Sequence, residues 1–226
     1  MIELTADECR VLGVLVEKAL TTPAQYPLTL NALTSGCNQK NNRYPIVSFD
    51  ENRVQSALDH LRGKQMVVEV HLSSSRVVKY KQEIRAALNL QTPQVVILTE
   101  LMLRGPQTTG EIRGRASRMH RIESIEVVQN VLDDLARRDP PLVHRFPPAP
   151  GSRAEQYAQL LCPDAHPLET AVKVGQAALP PAEPALHERI ERIEAQLTAL
   201  RNYVKTLSKK LAETGPIHTP GQDGPD

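Results

Sequence analysis

The same order of predicted elements occurs twice along this chain. In the first copy, apolar residues at helical spacing predict a helix over residues 6–20, and LTLNALTSGCNQ predicts a short second helix. Asp50 is a candidate N-cap for a third helix over ENRVQSALDHLRGKQ. The β-branched runs MVVEVHL and RVVKYKQ then predict a β-hairpin. Helix, short helix, helix and hairpin is the order of a winged-helix domain.

The second copy begins at residue 91. A helix opened by Thr92 and Pro93 precedes a short helix in GPQTTGEIRGRASRM and a third helix in IESIEVVQNVLDDLARR. Strand-like runs in LVHRFPP and RAEQYAQLL complete it. A shared pattern in the two third helices, about 74 residues apart, supports a duplication: Val54, Gln55 and Leu58 match Val128, Gln129 and Leu132.

These patterns predict a mainly α chain with small β-hairpins (α+β), built from tandem winged-helix domains and a C-terminal coiled-coil helix. Two small units also fit the chain length better than one large core. The predicted ranges are 1–88 for the first winged-helix domain, 89–165 for the second, 166–184 for a Pro/Ala-rich linker, 185–213 for the coiled-coil helix and 214–226 for a disordered tail.

The predicted coiled coil is the strongest periodic signal in the chain. Its apolar residues are spaced alternately by four and three, as in a heptad seam: Leu186, Ile190, Ile193, Leu197, Leu200, Val204, Leu207 and Leu211. Such a narrow stripe predicts self-association, so the protein is expected to be a homo-oligomer. A parallel dimer fits the pattern, while a trimer, an antiparallel pairing or a lone helix folded back on the body stay open.

Charge and composition exclude several classes of protein. The 27 basic and 26 acidic side chains give a net charge of +1, so no global field attracts nucleic acid or acidic lipid. The three cysteines lie far apart without metal-ligand spacing, which predicts buried thiols, no metal and no cofactor. No run of ~18 apolar residues could span a bilayer, and the chain is predicted to be cytoplasmic with no membrane partner.

Long segments of both copies resemble one known family. VLVEKALTTPAQYPLTLNALTSGCNQKNNRYPIV and VQSALDHLRGKQMV from the first copy, and LMLRGPQTTGEIRGRASRMHRIESIE from the second, resemble the DUF480 family of uncharacterised bacterial proteins. The resemblance covers about residues 4–163. It implies a tandem winged-helix architecture, and it brings no activity.

The first copy carries four candidate nucleic-acid-binding residues. Lys40, Asn42 and Arg43 lie just before the third helix, where a helix-turn-helix approaches the phosphate backbone. Arg53 lies on the third helix, which would enter the major groove. Glu51 and Asp59 interrupt that face.

The second copy carries a denser basic segment. Its arginines could contact several phosphates: Arg113, Arg115, Arg118 and Arg121. The alternative is a solvated turn in which they pair with Glu111, Glu123 and Glu126. Acidic residues on the following helix would repel DNA, which favours a spacer or a protein-binding surface.

No catalytic constellation stands out, so the chain is predicted not to be an enzyme and no small-molecule substrate is evident. Glu17, beside Lys18 in the first helix, is interpreted as part of an exposed rim. The leading hypothesis is a regulatory protein that binds double-stranded DNA as a coiled-coil homo-oligomer; the alternative is a protein–protein adaptor. A continuous basic face would favour DNA, and dilution of that face by acidic residues would favour the adaptor.

Overall fold

The structure, a computed structural model, describes residues 3–71, 77–148 and 154–166. These residues form seven α-helices and two antiparallel three-stranded sheets, which confirms a mainly helical protein with small sheets. The predicted coiled coil, its eight heptad residues and the tail lie outside the described residues. None of the helices in the described ranges combines the length and the apolar character needed to cross a bilayer.

The first repeat follows the predicted order. Its main helices are α1 (Ala6–Thr21), α2 (Leu30–Cys37) and α3 (Glu51–Gly63). Its strands, in the sheet order β1-β3-β2, are β1 (Leu28–Thr29), β2 (Val67–Val70) and β3 (Lys79–Gln82). Asp50 caps α3 as predicted, because its side chain accepts a hydrogen bond of 2.8 Å from the amide of Arg53.

The second repeat follows after the four-residue helix α4 (Ile84–Ala87). Its main helices are α5 (Thr92–Arg104), α6 (Thr109–Ala116) and α7 (Ile125–Ala136). Its strands, in the sheet order β4-β6-β5, are β4 (Gln107–Thr108), β5 (Val143–Phe146) and β6 (Gln156–Gln159). Pro93 lies in the first turn of α5, where its missing amide proton costs no helical hydrogen bond.

Each sheet has one strand more than the predicted hairpin. The extra strands, β1 and β4, are only two residues long and directly precede the short helix of each repeat. Leu28 pairs with Tyr80 on β3, and Gln107 pairs with Tyr157 on β6. A two-residue strand carries no alternation of polar and apolar residues, so sequence patterning could not reveal it.

The two repeats share one hydrophobic core. Helix α1 packs along α5, and a Cβ atom added at Gly13 would meet Leu103 at 2.9 Å, so the backbone of α1 lies close to the side chains of α5. The amide of Leu4 also donates to the carbonyl of Leu161 at 2.7 Å. The chain divides into a compact unit over residues 1–176 and a second unit, 177–226, that lies outside the described residues.

The predicted burial of the thiols is confirmed. Cys9, Cys37 and Cys162 are all free and buried. The division of the repeats into domains at residues 88 and 89 stays a prediction.

Candidate functional site

Arg43, a predicted phosphate contact, lies inside the protein. It follows α2, and its side chain is fully buried. Its guanidinium donates to both carboxylate oxygens of Glu17 on α1, at 3.1 Å from Nη1 to Oε1 and more closely from Nη2. It also donates to the carbonyls of Gly36 at 3.3 Å and Asn42 at 2.8 Å. Arg43 therefore anchors its loop to α1, and its guanidinium is occupied by acceptors of the same chain.

Glu17 also binds an arginine from the second repeat. Nη1 of Arg118, in the segment after α6, lies 2.5 Å from Oε1 of Glu17. The other terminal nitrogen of Arg118 lies 3.4 Å from Glu100 on α5. Glu17 is only 2% exposed, so its interpretation as an exposed rim was wrong.

Glu100 is fully buried and belongs to the same group of charges. Nε of Arg104 lies 2.7 Å from Oε1 of Glu100, and Arg104 also donates to the side chain of Asn42. Glu17 lies four residues before the end of α1 at Thr21, and Glu100 lies four residues before the end of α5 at Arg104. The two repeats thus place a carboxylate at the same helical position.

We call this group the arginine–glutamate cluster; its members are Glu17, Arg43, Glu100, Arg104 and Arg118. Burial raises the pKa of Glu17, but the hydrogen bond and charge of Arg43, followed by those of Arg118, outweigh it and lower the pKa overall. The pKa of Arg104 is lowered, chiefly because burial disfavours its charged form. The charge of Glu100 opposes this shift, whereas the nearby charges of Arg115 and Arg118 add to it.

Arg53, the candidate on α3, is half exposed but engaged with a carboxylate. It donates to Asp7 of α1 through Nε at 2.6 Å and through Nη2 at 2.8 Å. Its guanidinium also lies 4.4 Å from the ring centre of Phe49. This bidentate pair and the cation–π contact fix the side chain against the protein.

The remaining candidates of the second repeat differ in their partners. Arg115 donates to the side chain of Gln107 at 2.8 Å and lies 3.2 Å from Glu111, as the alternative interpretation expected. Arg113 is exposed and donates to the backbone carbonyl of Glu123 at 2.8 Å. Arg121 is exposed, and no described residue pairs with it.

Lys40 and Asn42 lie at the surface of the loop after α2. Lys40 is exposed without a described carboxylate partner. Asn42 is exposed, has a positive φ of 62° and accepts the hydrogen bond from Arg104. Of the eight predicted contacts, four are exposed and form no ion pair with a carboxylate of the described residues: Lys40, Asn42, Arg113 and Arg121. The charge of Arg113 nevertheless acts on Glu126, because the pKa of that carboxyl is lowered by a hydrogen bond from Ser124 and also by Arg113.

The outward face of α7, the third helix of the second repeat, is apolar and acidic. Ile125 and Val127 are 47% and 38% exposed. Glu126 and Asp134 are exposed on the same helix. Within the described residues there is also no group of three potential metal ligands.

The family described as "Protein of unknown function, DUF480" matches residues 4–152, which is more than half of the chain. The chain belongs to the DUF480 family. This confirms the resemblance stated from the sequence, and the matched segment includes the arginine–glutamate cluster. DUF480 membership identifies relatives without naming a reaction or a partner.

Several relatives carry the name UPF0502 protein. One from Shewanella piezotolerans is 41% identical over 214 residues, covering 92% of this chain and 99% of the relative. One from Herminiimonas arsenicoxydans is 42% identical over 204 residues, covering 90% of this chain and 86% of the relative. One from Citrifermentans bemidjiense is 46% identical over 197 residues, covering 86% of this chain and 88% of the relative.

Proposed function

We propose that this chain is a non-enzymatic, tandem winged-helix adaptor that acts by binding another protein rather than by reading DNA. The observation that carries the proposal is the pairing of four of the six predicted DNA-binding arginines with carboxylates of the same chain. Arg43 and Arg118 bind Glu17, and Arg53 binds Asp7. A DNA phosphate would have to displace these carboxylates before it could make the same contacts.

The energetic argument differs between the buried and the exposed pairs. Breaking a buried, hydrogen-bonded pair such as Arg43 with Glu17 leaves an uncompensated charge and costs about 3–5 kcal/mol. The exposed pair of Arg53 with Asp7 is weaker, but it lowers the positive potential that a phosphate would meet. The net charge of +1 adds no long-range attraction.

The outward surfaces suit a protein partner better than a duplex. The apolar residues Ile125 and Val127 on α7 lie beside Glu126, which would repel phosphates. In the first repeat, Tyr44 and Ile46 are 43% and 64% exposed. Exposed apolar side chains surrounded by polar residues are typical of protein-binding surfaces.

Two further parts of the proposal concern architecture. The repeated order of helix, short helix, helix and hairpin supports the winged-helix assignment. The heptad pattern of residues 186–211 supports a coiled coil that joins copies of the chain. We expect Leu200→Pro to convert the oligomer to a monomer in analytical ultracentrifugation, because proline interrupts a helix; an unchanged mass would contradict this part.

DNA binding is the second candidate, because Lys40, Arg113 and Arg121 are exposed and form no ion pair with a carboxylate among the described residues. Fluorescence anisotropy with random duplex DNA at about 50 mM and 200 mM salt tests it. The adaptor proposal expects no micromolar binding at the lower salt. Arg85, an exposed residue of α4 outside the predicted contacts, is the control. Salt-dependent binding that is lost when all three residues become Glu, but kept in Arg85→Glu, would replace the adaptor proposal with DNA binding.

Protein binding is tested by affinity purification after nuclease treatment. We expect a stoichiometric partner of the wild-type chain to be lost with Ile125→Glu combined with Val127→Glu, because both side chains face outward on α7. Val68→Glu, on the exposed face of β2, is the matched control and should retain the partner. Partners that are the same in all three samples, or absent from all, would contradict the assignment of this face.

A further inference from the structure

Arg10 on α1 is a buried cation that forms no ion pair with any carboxylate of the described residues. Arg10 is only 4% exposed. Its terminal nitrogens donate hydrogen bonds to the backbone carbonyls of Cys37 at 3.1 Å and Pro45 at 2.5 Å. No carboxylate of the described residues lies within ion-pair distance of it, whereas buried Arg43 is paired with Glu17. The two carbonyls satisfy hydrogen bonds but leave the full charge of the guanidinium.

Such an arrangement is energetically unusual. A charge removed from water is normally paired, because an isolated ion is poorly solvated in the protein interior. Burial lowers the pKa of Arg10, and the neighbouring charge of Arg43 lowers it further; the charge of Glu17, which is not within ion-pair distance, opposes this shift but does not reverse it. An anion placed beside Arg10 would relieve both effects.

Arg10 also lines a cavity that could hold such an anion. The cavity has a volume of about 220 Å³, below the range typical of drug-sized ligands. Its walls come from both repeats and are largely apolar; they include Tyr44, Val47, Phe49, Met102 and Ala165. A small ligand with an apolar body would fit these walls while its charged group meets Arg10.

The other charged residues of the wall do not neutralise Arg10. Asp7 and Arg53 line the cavity but bind each other through two hydrogen bonds. Asp164 is exposed, so water screens its charge more strongly than that of buried Arg10. His166 also lines the cavity, and one ring nitrogen, Nε2, lies 2.7 Å from the carbonyl of Tyr44.

We propose that this cavity is a binding site for a small organic monocarboxylate with an apolar body, and that Arg10 binds its carboxylate. The site is separate from the outward face of α7 and does not depend on whether the partner is a protein or DNA. Because its walls include α1, α3 and α5, a bound ligand contacts both repeats.

Benzoate and its neutral analogue benzamide are suitable probes for the full chain. In isothermal titration calorimetry we expect benzoate to bind with a Kd of about 1 mM or tighter. Benzamide should bind at least roughly tenfold more weakly, because a hydrogen bond between charged groups stabilises a complex more than a hydrogen bond to a neutral group. Equal binding of the two probes, or no binding of benzoate, would overturn the proposal.

Two variants locate the binding. Arg10→Met should weaken benzoate binding by roughly tenfold or more, because it removes the charge. Ala6→Phe should block the cavity from an exposed position at the start of α1, and it decides the question if Arg10→Met does not fold. Ala24→Phe, exposed and away from the cavity wall, is the matched control. Benzoate binding that is unchanged in Ala6→Phe would overturn the proposal.

Discussion

Glu17 holds arginines from both repeats, so its removal should be more harmful than the loss of a surface charge. Glu17→Ala leaves Arg43 buried without its carboxylate, and we expect a loss of about 3–5 kcal/mol in the free energy of unfolding. Asp59→Asn, which removes an exposed partner of Arg62, should cost less than about 1 kcal/mol. Urea denaturation of both variants measures the difference, and equal small losses would show that the cluster contributes little.

The lowered pKa of Glu17 predicts the direction of a pH effect. The pKa of Glu17 in the folded protein lies below its value of about 4.3 in the unfolded chain. The stabilisation that the ionised Glu17 carboxylate contributes is therefore present above about pH 4.3 and is lost as the pH falls through the folded-state pKa. The stability advantage of wild type over Glu17→Gln should therefore shrink between about pH 5 and pH 3. Urea titrations across this range test it, and a constant difference would be inconsistent with a lowered pKa.

The residues of this cluster mark the limit of what the sequence could predict. Arg43 stands in the polar run NQKNNR, so it was interpreted as exposed, but its partner Glu17 is 26 residues earlier. Glu17 and Glu100 are each flanked by apolar residues, in VLVEKAL and VILTELML. This pattern is the one signal of buried carboxylates, because an amphipathic helix normally keeps charges away from its apolar face.

The elements themselves were largely predictable. Periodicity located α1, α3, α5 and α7, and the cap at Asp50 is where the sequence placed it. The pairing of α1 with α5 was not predictable, because local periodicity shows that a helix buries a face without showing what covers it. Gly13 has no side chain and therefore allows α1 to approach Leu103 of α5 closely.

Helix packing predicts opposite effects for the same substitution at two glycines. A Cβ at Gly13 would lie 2.9 Å from Leu103, so Gly13→Ala should destabilise the protein by about 1–3 kcal/mol. Gly114 lies inside α6 with no atom near its would-be Cβ, so Gly114→Ala should stabilise it by about 0.4–1 kcal/mol. Thermal denaturation monitored by circular dichroism measures both, and a stabilising Gly13→Ala would contradict the close approach of α1 and α5.

On the scale of all the described residues, the two repeats depend on each other. The packing of α1 on α5 buries apolar residues from both repeats in one core. Glu17 also forms ion pairs with Arg43 of the first repeat and with Arg118 of the second. Separation of the repeats would expose apolar surface and leave Glu17 with one of its two arginines.

This dependence predicts a single cooperative unfolding transition for a chain truncated after residue 166. Differential scanning calorimetry should give equal calorimetric and van't Hoff enthalpies, the signature of two-state unfolding. A fragment of residues 1–88 should lack a cooperative transition, because the face of α1 that covers α5 would meet water. Two resolved transitions, or a stably folded 1–88 fragment, would instead show that each repeat is an independent domain and that the shared core is not required for folding.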